Sequence, residues 1–210
     1  MKVVQKQKQY LKSITFPKEW RSVPTKITPH ICGRIGFPLM IKLPQILHKT
    51  EKKAVRKACD WQELQRVLKD FEKIAKKEKL RKHEVLVQEH IKGIELIAGL
   101  KKDAAFGHAI MLGLGGIYVE LLKDITFRIC PITTTDAEQM IDELKSKKIL
   151  KGVRGLPKAN KKELIDTLVA LSKVPLKHPE INELDINPLI VNAKGAFAVD
   201  VRVLTNKIPL

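Results

Sequence analysis

The fold of this chain is decided by the stretch Glu183-Leu184-Asp185-Ile186-Asn187-Pro188-Leu189, which a turn joins to Ala198-Val199-Asp200. Oxygen-bearing side chains at positions 183, 185 and 187 alternate with apolar ones, and this period is typical of a strand with one polar face. Carboxylates crowded together in this way favour a bound cation. Hard oxygen ligands without a dense cage suit Mg²⁺ carried with substrate phosphates better than a dedicated Ca²⁺ or Zn²⁺ site.

The residues between the two polar segments predict a hairpin. Asn192-Ala193-Lys194-Gly195 is typical of a two-residue turn, which pairs position 192 with 195 and therefore Asn187 with Asp200. Directly opposed residues have Cβ atoms roughly 5 Å apart, close enough to share one ion. A type I turn with a bulge at Gly195 shifts this register by one residue. Asn187, Asp200 and Asp185 are the candidate metal ligands, and a solvated acidic strand edge is the alternative.

The composition is that of a globular protein. The chain has 210 residues, 44% of them hydrophobic, which suits one domain or two small lobes with a substantial core. No apolar run approaches the roughly 20 residues that span a bilayer, and the first residues lack the apolar core of a signal peptide. We therefore expect a cytoplasmic protein without a membrane segment. The spacing of Cys32, Cys59 and Cys130 fits neither a zinc site nor a disulfide framework, and it predicts buried, reduced thiols.

The net charge of +17 is concentrated in the first part of the chain. Residues 1–83 hold 22 Lys and Arg against 7 Asp and Glu, which gives +15, and the remainder holds 18 against 16, which gives +2. Such a basic block can bind nucleic acid, an anionic surface, or polyanionic ATP or CoA, and it can also be a solvated surface. Aromatic residues make up 5% of the chain and are not interleaved with the basic ones, which disfavours nucleic acid as a partner.

The pattern along the chain predicts a mixture of strands and helices. Residues 1–34 hold no regular period for long, whereas an apolar run from Gly36 to Leu43 predicts the first strand. Asp60 is a candidate cap for a helix from Trp61 to about Lys79. Further strands are predicted at 85–90, 94–100 and 109–112, and further helices at 136–145 and 160–172. The fold class is therefore α/β or α+β, with a basic N-terminal segment (1–34), a small lobe (35–83) and a large lobe (84–210).

Three motifs in a fixed order make the sequence similar to a known family. The glycine-rich run Gly113-Leu114-Gly115-Gly116-Ile117-Tyr118-Val119-Glu120, then Gly152-Val153-Arg154-Gly155, and finally residues 183–189 with Asp200 resemble the ATP-grasp β subunit of ADP-forming acetyl-CoA synthetases. These enzymes are relatives of succinyl-CoA synthetase. The resemblance extends from about Ile35 to Arg202 and implies an ATP-grasp fold of two lobes.

The resemblance also implies a nucleotide site that takes ATP or ADP with Mg²⁺. Lys42, at the end of a predicted strand, matches a lysine at the family's nucleotide site. Gln88, Glu89 and Ile91 match the hinge between the two lobes. The glycine-rich run permits close approach of the backbone to phosphate. The positions that carry over are Lys42, Gln88, Glu89, Ile91, Glu95, Gly115 and Gly116. An ordinary surface role is the alternative for the hinge side chains.

Three residues are candidates for a role in phosphoryl transfer, one from the resemblance and two from their side-chain chemistry. His48 matches a histidine that is implicated in passing phosphate from the companion α subunit to the nucleotide site. Arg128 and Arg154 have the forked geometry of anion clamps, and each is equally suited to a structural ion pair. The chief departure follows His48, because Lys52-Lys53 stands where the family has a glycine pair.

The function implied is that of the β subunit of an ADP-forming acetate–CoA ligase. In that family phosphate attacks an acyl-CoA, a phosphohistidine forms, and the phosphoryl group passes to ADP with Mg²⁺ to give ATP. The partner is a CoA-binding α subunit in a hetero-oligomer. Two alternatives stay open: a relative without catalytic activity that binds nucleotide or assembles with a partner, which Lys52-Lys53 favours, and a basic nucleic-acid-binding module.

Overall fold

The structure, a computed structural model, describes residues 2–3, 7–46, 52–81, 83–115, 124–152 and 158–206. The chain divides into a small unit (residues 17–91) and a large unit (residues 1–16 and 92–210). The strands are β1 (Lys2–Val3), β2 (Glu19–Ser22), β3 (Leu39–Lys42), β4 (Val55–Ala58), β5 (Val85–Glu89), β6 (Ile94–Asp103), β7 (Gly107–Leu114), β8 (Ile125–Ile129), β9 (Ile181–Asn192), β10 (Gly195–Ala198) and β11 (Val201–Thr205). The α-helices are α1 (Pro29–Ile35), α2 (Trp61–Lys77), α3 (Thr134–Glu143), α4 (Lys161–Ser172) and α5 (Val174–Lys177).

The small unit is an antiparallel sheet with helix α2 packed against it. Its strand order is β2-β5-β3-β4. Helix α2 begins at Trp61 because the Asp60 carboxylate accepts a hydrogen bond from the main-chain amide of Glu63 at 2.8 Å. Apolar residues at helical spacing along α2, such as Phe71, are buried together with the apolar residues of β3. The predicted helix and its cap are confirmed, and the last helical residue is Lys77.

The large unit is a seven-stranded sheet with helices α3 and α4 on one face. The strand order is β1-β11-β9-β6-β7-β8, and β10 pairs with β9. One buried apolar core joins Leu112 and Leu184 of the sheet to Met140 of α3 and Leu168 of α4. The other face of this sheet, which we call the second face, points away from α3 and α4. It carries the polar side chains of β9, because these alternate with buried ones such as Leu184.

Strands β9 and β10 form the predicted hairpin in the predicted register. Gly195 pairs with Asn192 across a two-residue turn. The Asn192 side-chain oxygen stabilises that turn by accepting a hydrogen bond from the amide of Lys194 at 2.8 Å. Val201 of β11 pairs with Ile186 in the same register. The alternative turn with a one-residue shift is therefore wrong.

The limits of the two units differ from those expected for the lobes. Strand β2 lies within the segment that has no clear sequence period, and it pairs with β5, with Glu19 opposite Gln88. Strand β5 also pairs with β3. The small unit therefore extends from residue 17 to residue 91, because long-range strand pairing leaves no mark in local periodicity.

All three cysteines are free, as expected, but they are not all buried. Cys32 lies in the core of the small unit, whereas Cys59 is exposed in the turn between β4 and α2. Burial raises the pKa of the Cys130 thiol to about 12, so this thiol is unreactive at neutral pH.

No helix among the residues that the structure describes is long and apolar enough to cross a membrane.

Candidate metal and nucleotide site

Asn187 and Asp200 lie directly opposite each other, as the hairpin predicts. The main-chain amide of Asn187 donates a hydrogen bond to the carbonyl oxygen of Asp200 at 2.9 Å. The amide of Val199 donates to the carbonyl of Pro188 at 3.1 Å, so two successive pairs are hydrogen-bonded and the regular alternation of an antiparallel ladder is interrupted here. Asn187 is exposed and Asp200 is half-buried. The two residues predicted as oxygen ligands thus lie on neighbouring segments that are hydrogen-bonded to each other.

A β-bulge lies at the same place. Leu96 of β6 pairs with Leu189, but Ala98 pairs with Ile186, so two residues of β9 oppose the single residue between Leu96 and Ala98. The two bulged residues are Asn187 and Pro188. Bulges reorient side chains next to active sites, and here the bulge turns the Asn187 side chain towards solvent while its neighbours Ile186 and Leu189 stay in the core.

Asp185 is the most perturbed carboxyl group on the second face. Burial, together with the hydrogen bond and the negative charge of Glu183, raises the pKa of Asp185 to about 6, and the nearby charges of Arg202 and Lys101 oppose this rise. Arg202 is its direct cross-strand neighbour on β11. A carboxylate whose charge is disfavoured in this way gains from a cation nearby.

The donor set fits a magnesium ion that is held mainly by its substrate. Asn187 and Asp185 of β9 and Asp200 of the neighbouring segment offer hard oxygen ligands, the donor type that Mg²⁺ prefers. Within the described ranges, no three His, Cys, Asp or Glu side chains are grouped so that they could hold a metal ion by themselves. These residues could therefore hold Mg²⁺ when phosphate oxygens complete its coordination.

Gly99 provides the space beside Asp185 and is not among the site residues predicted from the sequence. Gly99 pairs with Asp185 across β6 and β9. A Cβ atom at this position would lie 2.8 Å from the Leu184 carbonyl oxygen and 3.1 Å from a carboxylate oxygen of Asp185. A glycine within the apolar run from Leu96 to Leu100 is the signal that could have indicated this close approach.

Three predicted nucleotide residues belong to the sheet of the small unit. Lys42, at the end of β3, is only 5% exposed, which is unusual for a lysine. Gln88 is buried on β5, and its side-chain nitrogen donates to the Glu19 carboxylate at 2.9 Å. The Glu89 carboxylate accepts a hydrogen bond from the main-chain amide of Lys18 at 3.2 Å. Gln88 and Glu89 thus help to hold β2 against β5.

The other described nucleotide positions lie in or next to the large unit. Glu95 is exposed on β6, and its carbonyl oxygen accepts a hydrogen bond from the amide of Gly115 at 2.8 Å. A Cβ atom at Gly115 would lie 2.9 Å from that carbonyl group, so the close approach that this glycine permits is to β6. Ile91 is partly buried at the end of the small unit.

Arg128 does not share the second face with Asn187. It lies on β8 opposite Ile110, whose side chain is in the core beneath the helices. Its guanidinium binds both carboxylate oxygens of Glu143 on α3, at 3.1 and 2.5 Å. This hydrogen bond and charge raise the pKa of Arg128 and lower that of Glu143. Of the two roles considered for Arg128, the structure shows an ion pair.

His48, Gly116 and Arg154 lie outside the described residues. Lys52 and Lys53, which stand where the family has its glycine pair, are described. Lys52 forms an ion pair with Glu78 at 2.8 Å. Lys53 has a φ of 52°, in the left-handed region that favours glycine. The backbone at position 53 is therefore in a conformation that glycine adopts more readily than lysine does.

Known proteins match most of this chain. The family model described as the ATP-grasp domain matches residues 14–204. Subunit β of acetate–CoA ligase (ADP-forming) II from Pyrococcus furiosus is 44% identical over 184 residues, covering 81% of this chain and 76% of that protein. Acetate–CoA ligase (ADP-forming) I from Archaeoglobus fulgidus is 40% identical over 181 residues, covering 83% of this chain and 26% of that protein.

A solved structure is similar over almost the whole chain. It is the dinucleotide-forming acetyl-coenzyme A synthetase 1 of Ca. Korarchaeum cryptofilum in complex with coenzyme A and Mg-AMPPCP, with its phosphohistidine segment pointing towards the nucleotide-binding site. The TM-score is 0.78 at 30% identity, covering 95% of this chain and 90% of that chain. This chain thus spans about three quarters of the Pyrococcus β subunit but about one quarter of the Archaeoglobus ligase.

Proposed function

Because this chain belongs to the ATP-grasp domain family, we propose that it is the nucleotide-binding β subunit of an ADP-forming acyl-CoA synthetase. The resemblance inferred from its motifs and the ATP-grasp fold class are both confirmed. The reaction would transfer a phosphoryl group between a phosphohistidine of a partner and ADP. That step needs positioning and charge neutralisation rather than covalent chemistry by this chain.

The observation that carries the proposal is the Asn187–Asp200 pair. A main-chain hydrogen bond of 2.9 Å joins these two residues, and Asp185, two residues before Asn187, adds a second carboxyl group. These side chains would hold Mg²⁺, which when bound neutralises charge on the nucleotide phosphates. The β-bulge keeps Asn187 accessible to a nucleotide while Ile186 anchors the strand in the core.

The buried ammonium group of Lys42 would serve as a fixed positive charge for the nucleotide. A desolvated cation interacts more strongly with phosphate than an exposed one does. The hinge residues would contribute through their backbone, because the side chains of Gln88 and Glu89 already bind Glu19 and the Lys18 amide. Glu95 is exposed and can bind a polar group of the nucleotide.

The CoA site and the phosphohistidine would be supplied by a separate α subunit. This proposal is supported by subunit β of the acetate–CoA ligase II of Pyrococcus furiosus, which is a subunit by name and of which this chain covers 76%. We therefore expect the purified chain to bind ADP and to make no ATP from acetyl-CoA unless the α subunit is added.

One observation favours the alternative of a relative without catalytic activity. Lys52 is engaged with Glu78, and Lys53 occupies a left-handed conformation that disfavours a lysine. A loop that meets phosphate through its backbone is less suited to such side chains. Binding of Mg-ADP without phosphoryl transfer in the presence of the α subunit would support this alternative.

The test is a reconstitution assay. The chain is mixed with the CoA-binding α subunit, and ATP formation is followed from acetyl-CoA, ADP and phosphate. We expect activity only in the mixture, and much less of it with Asp200→Asn. ATP formation by either subunit alone, or an unchanged rate with Asp200→Asn, would contradict the proposal.

A further inference from the structure

Strand β8, the last in the order of the large sheet, points its apolar side chains away from the core. Ile125, Phe127 and Ile129 are 36%, 52% and 51% exposed on the second face. The side chains between them are fixed on the helix-covered face. Thr126 donates to the Met140 carbonyl of α3 at 3.3 Å, and Arg128 binds Glu143. The apolar stripe formed by Ile125, Phe127 and Ile129 therefore has to face away from the helices. Turning the two faces of the strand around would break both polar contacts.

The backbone of the same three residues points towards the edge of the sheet that no described strand covers. The main-chain amide of Cys130 donates to the His108 carbonyl at 2.7 Å, and the main-chain amide of Leu114 donates to the Asp124 carbonyl at 3.3 Å. Antiparallel pairing alternates, so the even-numbered residues of β8 face β7 and residues 125, 127 and 129 present their amides and carbonyls outward. The Phe127 carbonyl accepts one hydrogen bond from Arg128 at 2.8 Å and retains a second lone pair.

We propose that a second copy of this chain pairs with this edge, antiparallel, about a twofold axis at Phe127. The sequence Ile125-Thr126-Phe127-Arg128-Ile129 is symmetric in its apolar positions, so Phe127 would face Phe127 of the partner subunit and Ile125 would face Ile129 of the partner subunit. Arg128 would lie opposite Thr126 of the partner subunit on the other face, which avoids opposed like charges.

Self-complementarity is what selects a second copy over an unrelated partner. An exposed, apolar edge strand with outward amides is a template for strand pairing, and this one matches itself in register, side-chain type and charge. A pair of five-residue strands buries less surface than the roughly 1,200 Å² that a stable interface buries. The dimer should therefore depend on protein concentration, and it does not rest on the proposed function.

The first test is sedimentation equilibrium of the whole chain over a wide concentration range. We expect a reversible monomer–dimer equilibrium that Phe127→Lys weakens by more than tenfold. Phe106→Lys is the matched control, because Phe106 is 70% exposed in the turn between β6 and β7 and lies outside the stripe. A chain that stays monomeric throughout, or equal effects of the two variants, would overturn the proposal.

The second test reports the register itself. Hydrogen-bonded antiparallel pairs have Cα atoms about 5.5 Å apart, within the range of a disulfide. Phe127→Cys should therefore form a disulfide-linked dimer with oxidised glutathione, well above the background of the natural cysteines. Ile125→Cys alone should not, but it should link to Ile129→Cys when the two are mixed. Circular dichroism verifies that each variant is folded, and a Phe127→Cys yield equal to that of Ile125→Cys would overturn the twofold register.

Discussion

The main-chain amide of Asn187 donates a hydrogen bond to the carbonyl oxygen of Asp200 at 2.9 Å, which joins β9 to the segment between β10 and β11. This relationship follows from the two-residue turn at 193–194, because a fixed turn length determines every pair along the hairpin. A side chain that binds a metal only weakly by itself becomes useful when its partner ligand is fixed in this way.

We predict that Asp200→Asn and Asn187→Ala each weaken Mg-ADP binding. Asp200→Asn should cost about tenfold or more, because it removes the charged ligand, and Asn187→Ala should cost less. Isothermal titration with ADP and Mg²⁺ measures both affinities. Asp166→Asn is the control, since it makes the same chemical change at an exposed ion pair with Lys162 on α4. Unchanged affinity in both site variants would show that the metal ligands are assigned incorrectly.

Local patterns in the sequence predicted the hairpin, helix α2 and its Asp60 cap, since turn length and helical period depend on neighbouring residues. The bulge at Asn187 was not predicted, because it depends on pairing with β6, a strand distant in the chain. Strand β8 was missed for another reason. Its apolar residues are exposed and its polar residues face the core, so its pattern does not indicate which side is buried.

The role of Arg128 shows a similar limit for the site. The residue type was consistent with an anion clamp or an ion pair, and only the packing of α3 against β8 brings Glu143 within reach. Gly99 is the opposite case. Its signal was present in the sequence, but its consequence for Asp185 depends on the pairing of β6 with β9.

We predict that Asp185→Asn stabilises the nucleotide-free chain at pH 7. The pKa of Asp185 is raised to about 6 in the folded state by burial and by Glu183, so stability from this group is present below its ordinary pKa and is lost as the pH rises through 6. The amide removes that loss, and we expect a gain of about 1 kcal/mol at pH 7.

The gain from Asp185→Asn should be much smaller at pH 4.5, where the natural carboxyl group is largely protonated. Urea unfolding at the two pH values measures the difference. Equal gains at both pH values would show that the carboxylate charge is not the cause. The same variant should bind Mg-ADP more weakly, which separates stability from function at this position.

We predict that Gly99→Ala destabilises the large unit by about 1–3 kcal/mol, because the new methyl group would meet the backbone oxygen of Leu184 at 2.8 Å. It should also weaken Mg-ADP binding by displacing Asp185. Gly33→Ala is the matched control, since a methyl group at this position of α1 would meet no described atom outside its own helix within 4 Å. That change should stabilise the chain by about 0.5–1 kcal/mol. Similar effects of the two changes on unfolding would contradict the packing argument.

The last prediction concerns the loop after His48, where lysines replace the glycine pair of the family. Lys53 has a φ of 52°, so Lys53→Gly should relieve a left-handed conformation without altering the path of the backbone. Lys52→Gly should act differently, because it breaks the ion pair with Glu78. We expect the double variant Lys52→Gly, Lys53→Gly to transfer phosphate faster from a phosphorylated α subunit to ADP.

The physical reason is that glycine lets phosphate approach the main-chain amides closely. If the lysines instead hold the anion by charge, the double variant should bind nucleotide more weakly and lose its dependence on salt. Glu78→Gln is the control, because it breaks the same ion pair and leaves both lysines in place. Transfer rates at several salt concentrations distinguish the cases. A faster double variant supports a loop that acts through its backbone, and a slower, salt-insensitive one contradicts it. Transfer by neither chain would indicate a relative that binds nucleotide without catalysis.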